Sequence, residues 1–307
     1  MKFLLIFILF LNQCFSIGTS FLKIPFNSKS LSLSEAGVAF VRDPSLFRLN
    51  PALLYSNSKN MNAHISYNSW LLNTKGHSLI VVQPFKKHFT LGFGLKSLSI
   101  NNLEFRNDIP SSKPLSYFSN NGTTLEFVVA TKKNKFQLGS SIKYIAIESY
   151  IFSSTGFATD IGLTYNLELY NLSFGASLVN LGYMNDFKSS APKLPTKGSL
   201  GFKFQPFLKK SKIKSIYLGS IDVFELNKIA YRFGNQFSIN NFHLMSGIYT
   251  YKDNFSISGG FEIEKSKISI SYAFNLSNHN LGIPHIFQVK IIITSQNKNL
   301  LRHIYLF

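Results

Sequence analysis

Side chains able to do acid–base, nucleophilic or metal chemistry are few in this 307-residue sequence, and they are dispersed. The seven histidines, His64, His77, His88, His243, His279, His285 and His303, include no pair at ligand spacing with a nearby carboxylate, so no metal site is expected. The single cysteine, Cys14, falls within the first eighteen residues, just past an apolar run, which leaves no thiol after it for disulfides, thiolate catalysis or metal ligation. No phosphate-cradling glycine loop, nucleophile elbow or carboxylate pair forced together by spacing is present, so neither an enzyme nor a cofactor is expected. What spacing does offer is a ladder of charges. Lys96, Glu126, Lys143 and Asp160 occupy polar positions of four successive alternating segments with alternating sign, and Asp222 and Arg232 repeat the pattern later.

The segments that carry these charges alternate with period two. Met61, Ala63, Ile65 and Tyr67 alternate with Asn62, His64, Ser66 and Asn68, and Phe89, Leu91, Phe93 and Leu95 with Thr90, Gly92, Gly94 and Lys96. Such alternation marks strands with one apolar and one polar face. Fourteen are expected, near 61–69, 76–84, 88–99, 122–131, 135–147, 157–166, 171–181, 197–206, 214–223, 229–238, 241–251, 254–263, 266–275 and 285–294. Their mean length of about ten residues is what a tilted strand needs to cross a bilayer. Long connections fall at odd positions, 100–121, 148–156, 182–196 and 276–284, and short ones at even positions. That segregation fits a membrane barrel with short turns on one side and longer loops on the other. The expected fold is therefore an all-β transmembrane antiparallel barrel, closed so that lipid meets no unpaired edge. Its apolar face would meet lipid, with Trp70, Tyr165, Tyr249 and Tyr251 at the interfaces, and its polar face would line the lumen.

In that frame solvation fixes the charge ladder inside. A charge on the lipid face at mid-depth costs roughly 2–4 kcal/mol, whereas opposite charges on adjacent strands attract by roughly 0.2–1 kcal/mol. The ladder would make the lumen polar and rigid, or grip a plug or line a permeation path.

Composition agrees with an envelope barrel. Hydrophobic residues make up 45% and charged residues only 15%, which excludes a disordered chain. The net charge is +18, carried by 27 lysines and five arginines that are scattered, so no nucleic-acid partner is expected. Residues 1–18 join Lys2, an apolar run from Phe3 to Leu11 and small residues at Ser16 and Gly18, the pattern of a cleaved export signal. Gln13 before Cys14 argues against a lipid-modified cysteine. The expected location is the bacterial outer membrane, with its lipid as one partner.

Residues 19–60 do not alternate. They are small, apolar and interrupted by turns, as in Ser32–Val41, Arg42-Asp43-Pro44-Ser45 and Asn50-Pro51-Ala52-Leu53-Leu54. A fourteen-strand barrel is too wide for its own side chains to fill, so this stretch is read as an N-terminal plug, with Asn50, Pro51, Ala52 and Leu53 as its motif. A periplasmic extension packed beneath the barrel is the alternative.

A resemblance enters at these residues. Gly18–Ile24, Glu35–Val41, Asp43 and Asn50–Leu53, followed by Lys143–Ile145, Gly156–Leu163, Leu172–Gly182, Leu194-Pro195, Leu281-Gly282 and His285, resemble in order and spacing the PorV/PorQ family of outer-membrane proteins, within the FadL-like superfamily. The stretch Pro25–Ser30 departs from the Gly- and Arg-rich pattern usual there. The resemblance covers nearly the whole chain after the signal. It implies a type IX secretion system component that handles exported cargo and meets other secretion components; the FadL side implies instead a channel for hydrophobic small molecules. The expected organisation is signal 1–18, plug 19–60, barrel 61–294 and a C-terminal tail 295–307.

Overall fold

The computed structural model describes residues 18–41, 43–85, 88–107, 112–207, 213–224, 228–278 and 282–294. The expected export signal 1–18, apart from Gly18, and the expected tail 295–307 lie outside the described residues.

Fourteen strands form one closed antiparallel barrel. They are β1 (Met61–Ser69), β2 (Lys75–Phe85), β3 (Phe89–Phe105), β4 (Ser116–Lys133), β5 (Phe136–Ser149), β6 (Phe152–Leu167), β7 (Leu172–Met184), β8 (Lys197–Phe204), β9 (Ile213–Phe224), β10 (Lys228–Ile239), β11 (Phe242–Tyr251), β12 (Asn254–Lys265), β13 (Ile268–Ser277) and β14 (His285–Ile293). Each strand pairs with the next, and β1 closes on β14 from Met61 opposite Ile293 to Ser69 opposite His285. Every strand backbone thus has a neighbour on both sides, the condition lipid imposes.

The side-chain alternation is carried through. Ile65, Phe127, Leu138, Ile142, Ile161, Leu200 and Phe233 point outward and stay exposed, while the intervening Asn62, His64, Ser66, Thr124, Glu126, Lys143 and Asp160 are buried inside. An outward belt of large apolar side chains around a polar interior is the reverse of a water-soluble barrel and suits hydrocarbon.

Three expectations need correction. β3 and β4 extend past their neighbours as a two-stranded ribbon, so the third connection shortens from 100–121 to 106–115. Residues 100–105 and 116–121 lack clean alternation because Asn101 and Asn102 make a bulge there, Asn102 at φ 59°, yet the ribbon still pairs. The fifth connection, expected at 148–156, is only Tyr150 and Ile151, because β5 and β6 run on and Tyr150 takes φ 56°. Finally, Trp70 and Tyr249 do not join an outward girdle. Trp70 continues the inward parity of Ser66 and Asn68 and packs on Leu31, Ala273 and Ile286, and Tyr249 stands opposite inward Arg232 and Ser256. Tyr165 does face outward, its ring 4.8 Å from that of Phe136.

Residues 18–60 pack against the inward faces of the strands as short 3-10 turns and one five-residue helix, α1 (Ser28–Ser32). Their apolar side chains complete four clusters with wall residues. Phe21 and Phe26 meet Leu98, Ile145, Ile147 and Met184; Leu33, Phe40, Leu46 and Leu53 meet Leu218 and Met245. Phe47, Leu54 and Tyr55 meet Ile80, Val82 and Val128, and Leu31 meets Ala273 and Ile286. The inward wall is otherwise polar, so these islands are where the segment gains most from leaving water.

Candidate functional site

The motif Asn50–Leu53 sits at the middle of the segment. Asn50 caps the turn Pro51–Leu54: its Oδ1 accepts from the Ala52 amide at 3.0 Å, and Pro51 occupies a first-turn position where no amide proton is needed. Its Nδ2 donates to the Val38 carbonyl at 2.9 Å within the segment and to the Leu163 carbonyl of β6 at 3.1 Å. One amide thereby ties two parts of the segment to the wall. The wall admits it through two glycines. A Cβ at Gly162 would stand 1.9 Å from Asn50 Oδ1, and one at Gly139 would stand 2.2 Å from the Pro51 carbonyl carbon.

The charge ladder resolves into two clusters, each completed by the segment. On one side Glu126 of β4 faces Lys143 of β5 directly, 3.8 Å from its ammonium, and Lys143 reaches Asp160 of β6 at 2.7 Å. The expected Lys96–Glu126 pairing is absent. Lys96 faces Thr124, two residues along β4 from Glu126, and its ammonium turns to the carbonyls of Ile24 and Leu22, over the Phe26 ring at 4.5 Å. Glu126 takes Arg48 of the segment instead, Nε to Oε2 at 2.7 Å. The same guanidinium donates to Ser78 Oγ at 2.9 Å and to the Leu95 carbonyl at 3.2 Å.

Across the lumen, Asp222 of β9 and Arg232 of β10 meet at 2.5 Å, with Lys197 of β8 3.6 Å from Asp222. Arg232 also grips the segment through the Glu35 carboxylate at 3.0 Å and the Ser34 carbonyl at 2.8 Å. Paired, hydrogen-bonded charges are the form in which burial is tolerated.

Sequence reasoning missed a third cluster and a bulge. Lys29 of α1 bridges Asp43 at 2.7 Å and Glu262 of β12 at 2.9 Å. Burial alone would push the Lys29 ammonium down, but the two carboxylates outweigh it and hold its pKa above the ordinary lysine value. Burial would likewise raise Asp43, yet Lys29 and the Ser45 contacts hold it below the usual carboxylate range. Neither residue belongs to an alternating strand, so spacing carried no signal for them. The β6–β7 register shifts opposite Asp160, where Asn180 takes φ 61°. Its amide N–H donates to Asp160 at 2.8 Å, and its side chain accepts from Lys143 at 2.8 Å and donates to the Pro195 carbonyl at 3.1 Å. That ties the first charge cluster to the segment between β7 and β8.

Between the N-terminal segment and the wall lies a cavity of about 300 Å3. Leu22, Phe26, Leu46, Leu49 and Trp70 form apolar parts of its lining, and Arg48, Lys96, Lys143, Lys197 and Arg232 bring cationic groups to it. A second recess, about 850 Å3, lies on the outward side between β3 and β9 and is lined by Val129, Leu138, Leu163, Leu178, Leu200 and other apolar residues. Among the described residues no group of three or more His, Cys, Asp or Glu side chains could hold a metal ion.

No protein-family model and no curated protein matches the chain. Solved structures do. A FadL homologue of Pseudomonas aeruginosa superposes with a TM-score of 0.60 at 10% identity, over 88% of this chain and 98% of that one. The toluene transporter TodX of P. putida gives 0.57 at 11% identity over 86% and 98%, and the monoaromatic hydrocarbon channel CymD gives 0.55 at 12% over 88% and 97%. The closed fourteen-strand barrel of this chain therefore has the fold of the FadL-like outer-membrane barrels.

Proposed function

We propose that this protein is a non-enzymatic outer-membrane channel for the uptake of small hydrophobic compounds, with residues 19–60 as its plug. The observation that carries the reading is the occupied lumen: one continuous segment runs inside the closed barrel, held at three charged clusters, and leaves about 300 Å3 of space beside it. A cavity of that size, with an apolar side at Leu22, Phe26, Leu46, Leu49 and Trp70 and charged groups on the rest of its lining, takes small ligands that lie on the apolar side. A compound would lie against Leu22, Phe26, Leu46, Leu49 and Trp70. The likeness to barrels described as a toluene transporter and a monoaromatic hydrocarbon channel supports the same class of solute.

The test is uptake of radiolabelled toluene and of a labelled long-chain fatty acid by cells with and without the gene, at micromolar concentrations where the channel limits entry. Uptake of at least one is expected to fall several-fold on deletion and to return with the intact gene. Unchanged uptake of both would sink the reading.

A second reading keeps the PorV/PorQ resemblance: an accessory barrel of type IX secretion that handles exported cargo. It draws on the order of the sequence words from Gly18 to His285. Quantifying proteins at the surface and in the periplasm of the same deletion strain separates the two. Periplasmic accumulation of proteins that share a C-terminal domain, with uptake intact, favours secretion.

A further inference from the structure

The two rims of the barrel differ in charge. At the end where β4–β5 and β12–β13 turn, six exposed lysines, Lys59, Lys133, Lys135, Lys214, Lys265 and Lys267, face one exposed carboxylate among the described residues, Glu168. At the opposite end, among the described residues, six exposed cations, Lys23, Lys75, Arg106, Lys113, Lys188 and Lys252, meet four exposed carboxylates, Glu104, Glu148, Asp186 and Asp253. Scattered lysine usage would load both rims alike, so the difference lies in the acids: one rim has lost nearly all of them.

The position of these lysines decides what they meet. Lys133 follows the outward residues Phe127 and Val129 along β4 and stands opposite exposed Phe136, and Lys265 follows outward Phe261 and Ile263 and stands opposite exposed Ile268. Each therefore sits at the margin of the apolar belt, beside the first exposed apolar side chain of the next strand. At the β4–β5 turn, Asn134, Lys135, Phe136 and Tyr165 line a shallow crevice, and the Phe136 and Tyr165 rings lie side by side in its lining, tilted by 40° with centroids 4.8 Å apart. Aromatic rings at headgroup depth with cations beside them match a lipid whose chains lie on the belt and whose headgroup is negative. An acidic soluble protein would meet the cations but has no use for the adjoining apolar rings.

We infer that this rim binds anionic phospholipid headgroups, with Lys133, Lys135 and the Phe136–Tyr165 pair as one site and Lys265 as a second contact. The site is independent of what passes through the lumen. It selects phosphodiester headgroups of net negative charge over zwitterionic ones, because the exposed lysines outnumber the carboxylates beside them, Glu168, 3.6 Å from the Lys132 ammonium, and Glu264, 3.2 Å from that of Lys290, and the rim keeps a net positive charge.

The experiment uses the full barrel in nanodiscs made from equal parts phosphatidylglycerol and phosphatidylcholine, and native mass spectrometry of the lipids it retains on release. Wild-type protein is expected to retain phosphatidylglycerol in excess. Each of Lys133→Gln, Lys135→Gln and Lys265→Gln should reduce that excess, by up to about fivefold per lysine at low salt. Heat-modifiable electrophoretic mobility confirms that each variant is folded. Reconstitution of the wild-type protein in 0.5 M NaCl, which needs no variant, should erase most of the excess. Equal retention of the two lipids by the wild type overturns the inference, as does an excess that survives both the triple substitution and high salt. Binding of a polyglutamate peptide to the rim without any lipid preference also overturns it, and assigns the rim to an acidic protein.

Discussion

Replacing Arg48 with methionine should loosen the centre of the N-terminal segment, and the size of the effect follows from the contacts. The guanidinium holds Glu126 of β4 at 2.7 Å, Ser78 at 2.9 Å and the Leu95 carbonyl at 3.2 Å. Methionine keeps the length of the stem but removes every donor. Glu126, whose side chain is only 4% exposed, would then keep Lys143 at 3.8 Å, and that ammonium is already shared with Asp160 at 2.7 Å. Breaking a buried ion pair from one side costs about 3–5 kcal/mol. The Arg48 side chain is 17% exposed, so water softens the loss and the lower end applies. About 3 kcal/mol is a factor of roughly 150 in the equilibrium between docked and released segment. Hydrogen exchange of the amides from Leu46 to Leu54 in nanodiscs reads that equilibrium and should accelerate by about that factor. The double variant Arg48→Met, Glu126→Gln removes the orphaned charge and should recover most of the protection. Protection in Arg48→Met equal to wild type, or a double variant no better than the single, would refute the idea that this pair anchors the segment.

Other consequences can be checked in the same preparations. Gly162→Val places a side chain where Asn50 Oδ1 now lies, 1.9 Å from the Cβ position, and should expel the motif, seen as raised single-channel conductance from a barrel that still shifts mobility on boiling. Asn50→Ala removes the turn cap and two further donations and should cost about 1–3 kcal/mol of segment docking, measured by the same exchange experiment. The Lys29–Asp43–Glu262 cluster sets a pH window. Asp43 titrates below its ordinary value, so its contribution is complete above about pH 4 and lost as pH falls further; Lys29 titrates above its ordinary value, so its contribution is complete below about pH 10 and lost only at higher pH. The fluorescence of Trp70, the one tryptophan, which packs on Leu31 of α1, should stay constant between pH 5 and 9 and change only in acid or strong alkali. A transition near neutral pH would count against the cluster as α1's anchor.

The sequence alone determined the barrel. Period-two alternation over about ten residues can be satisfied only by strands with one wet and one apolar face, and each step of it is local, so all fourteen strands could be read. The same parity predicted the inward position of Lys96, Glu126, Lys143, Asp160, Asp222 and Arg232; applied within β11 it turns Tyr249 inward, in phase with Met245 and Gly247, and followed one residue past β1 it turns Trp70 inward. Partners were another matter. Which cation meets Glu126 depends on register and on a residue 78 positions away, Arg48, in a segment with no periodicity at all. The Lys29–Asp43–Glu262 bridge and the approach of Asn50 to Gly162 likewise join distant stretches of chain, and the Asn180 bulge depends on a register shift between β6 and β7 that alternation does not reveal. A non-periodic chain inside a lumen takes its course from the wall it touches, namely the glycines that let its backbone near and the charges that need a counterion. Those are fixed only when the fourteenth strand pairs with the first.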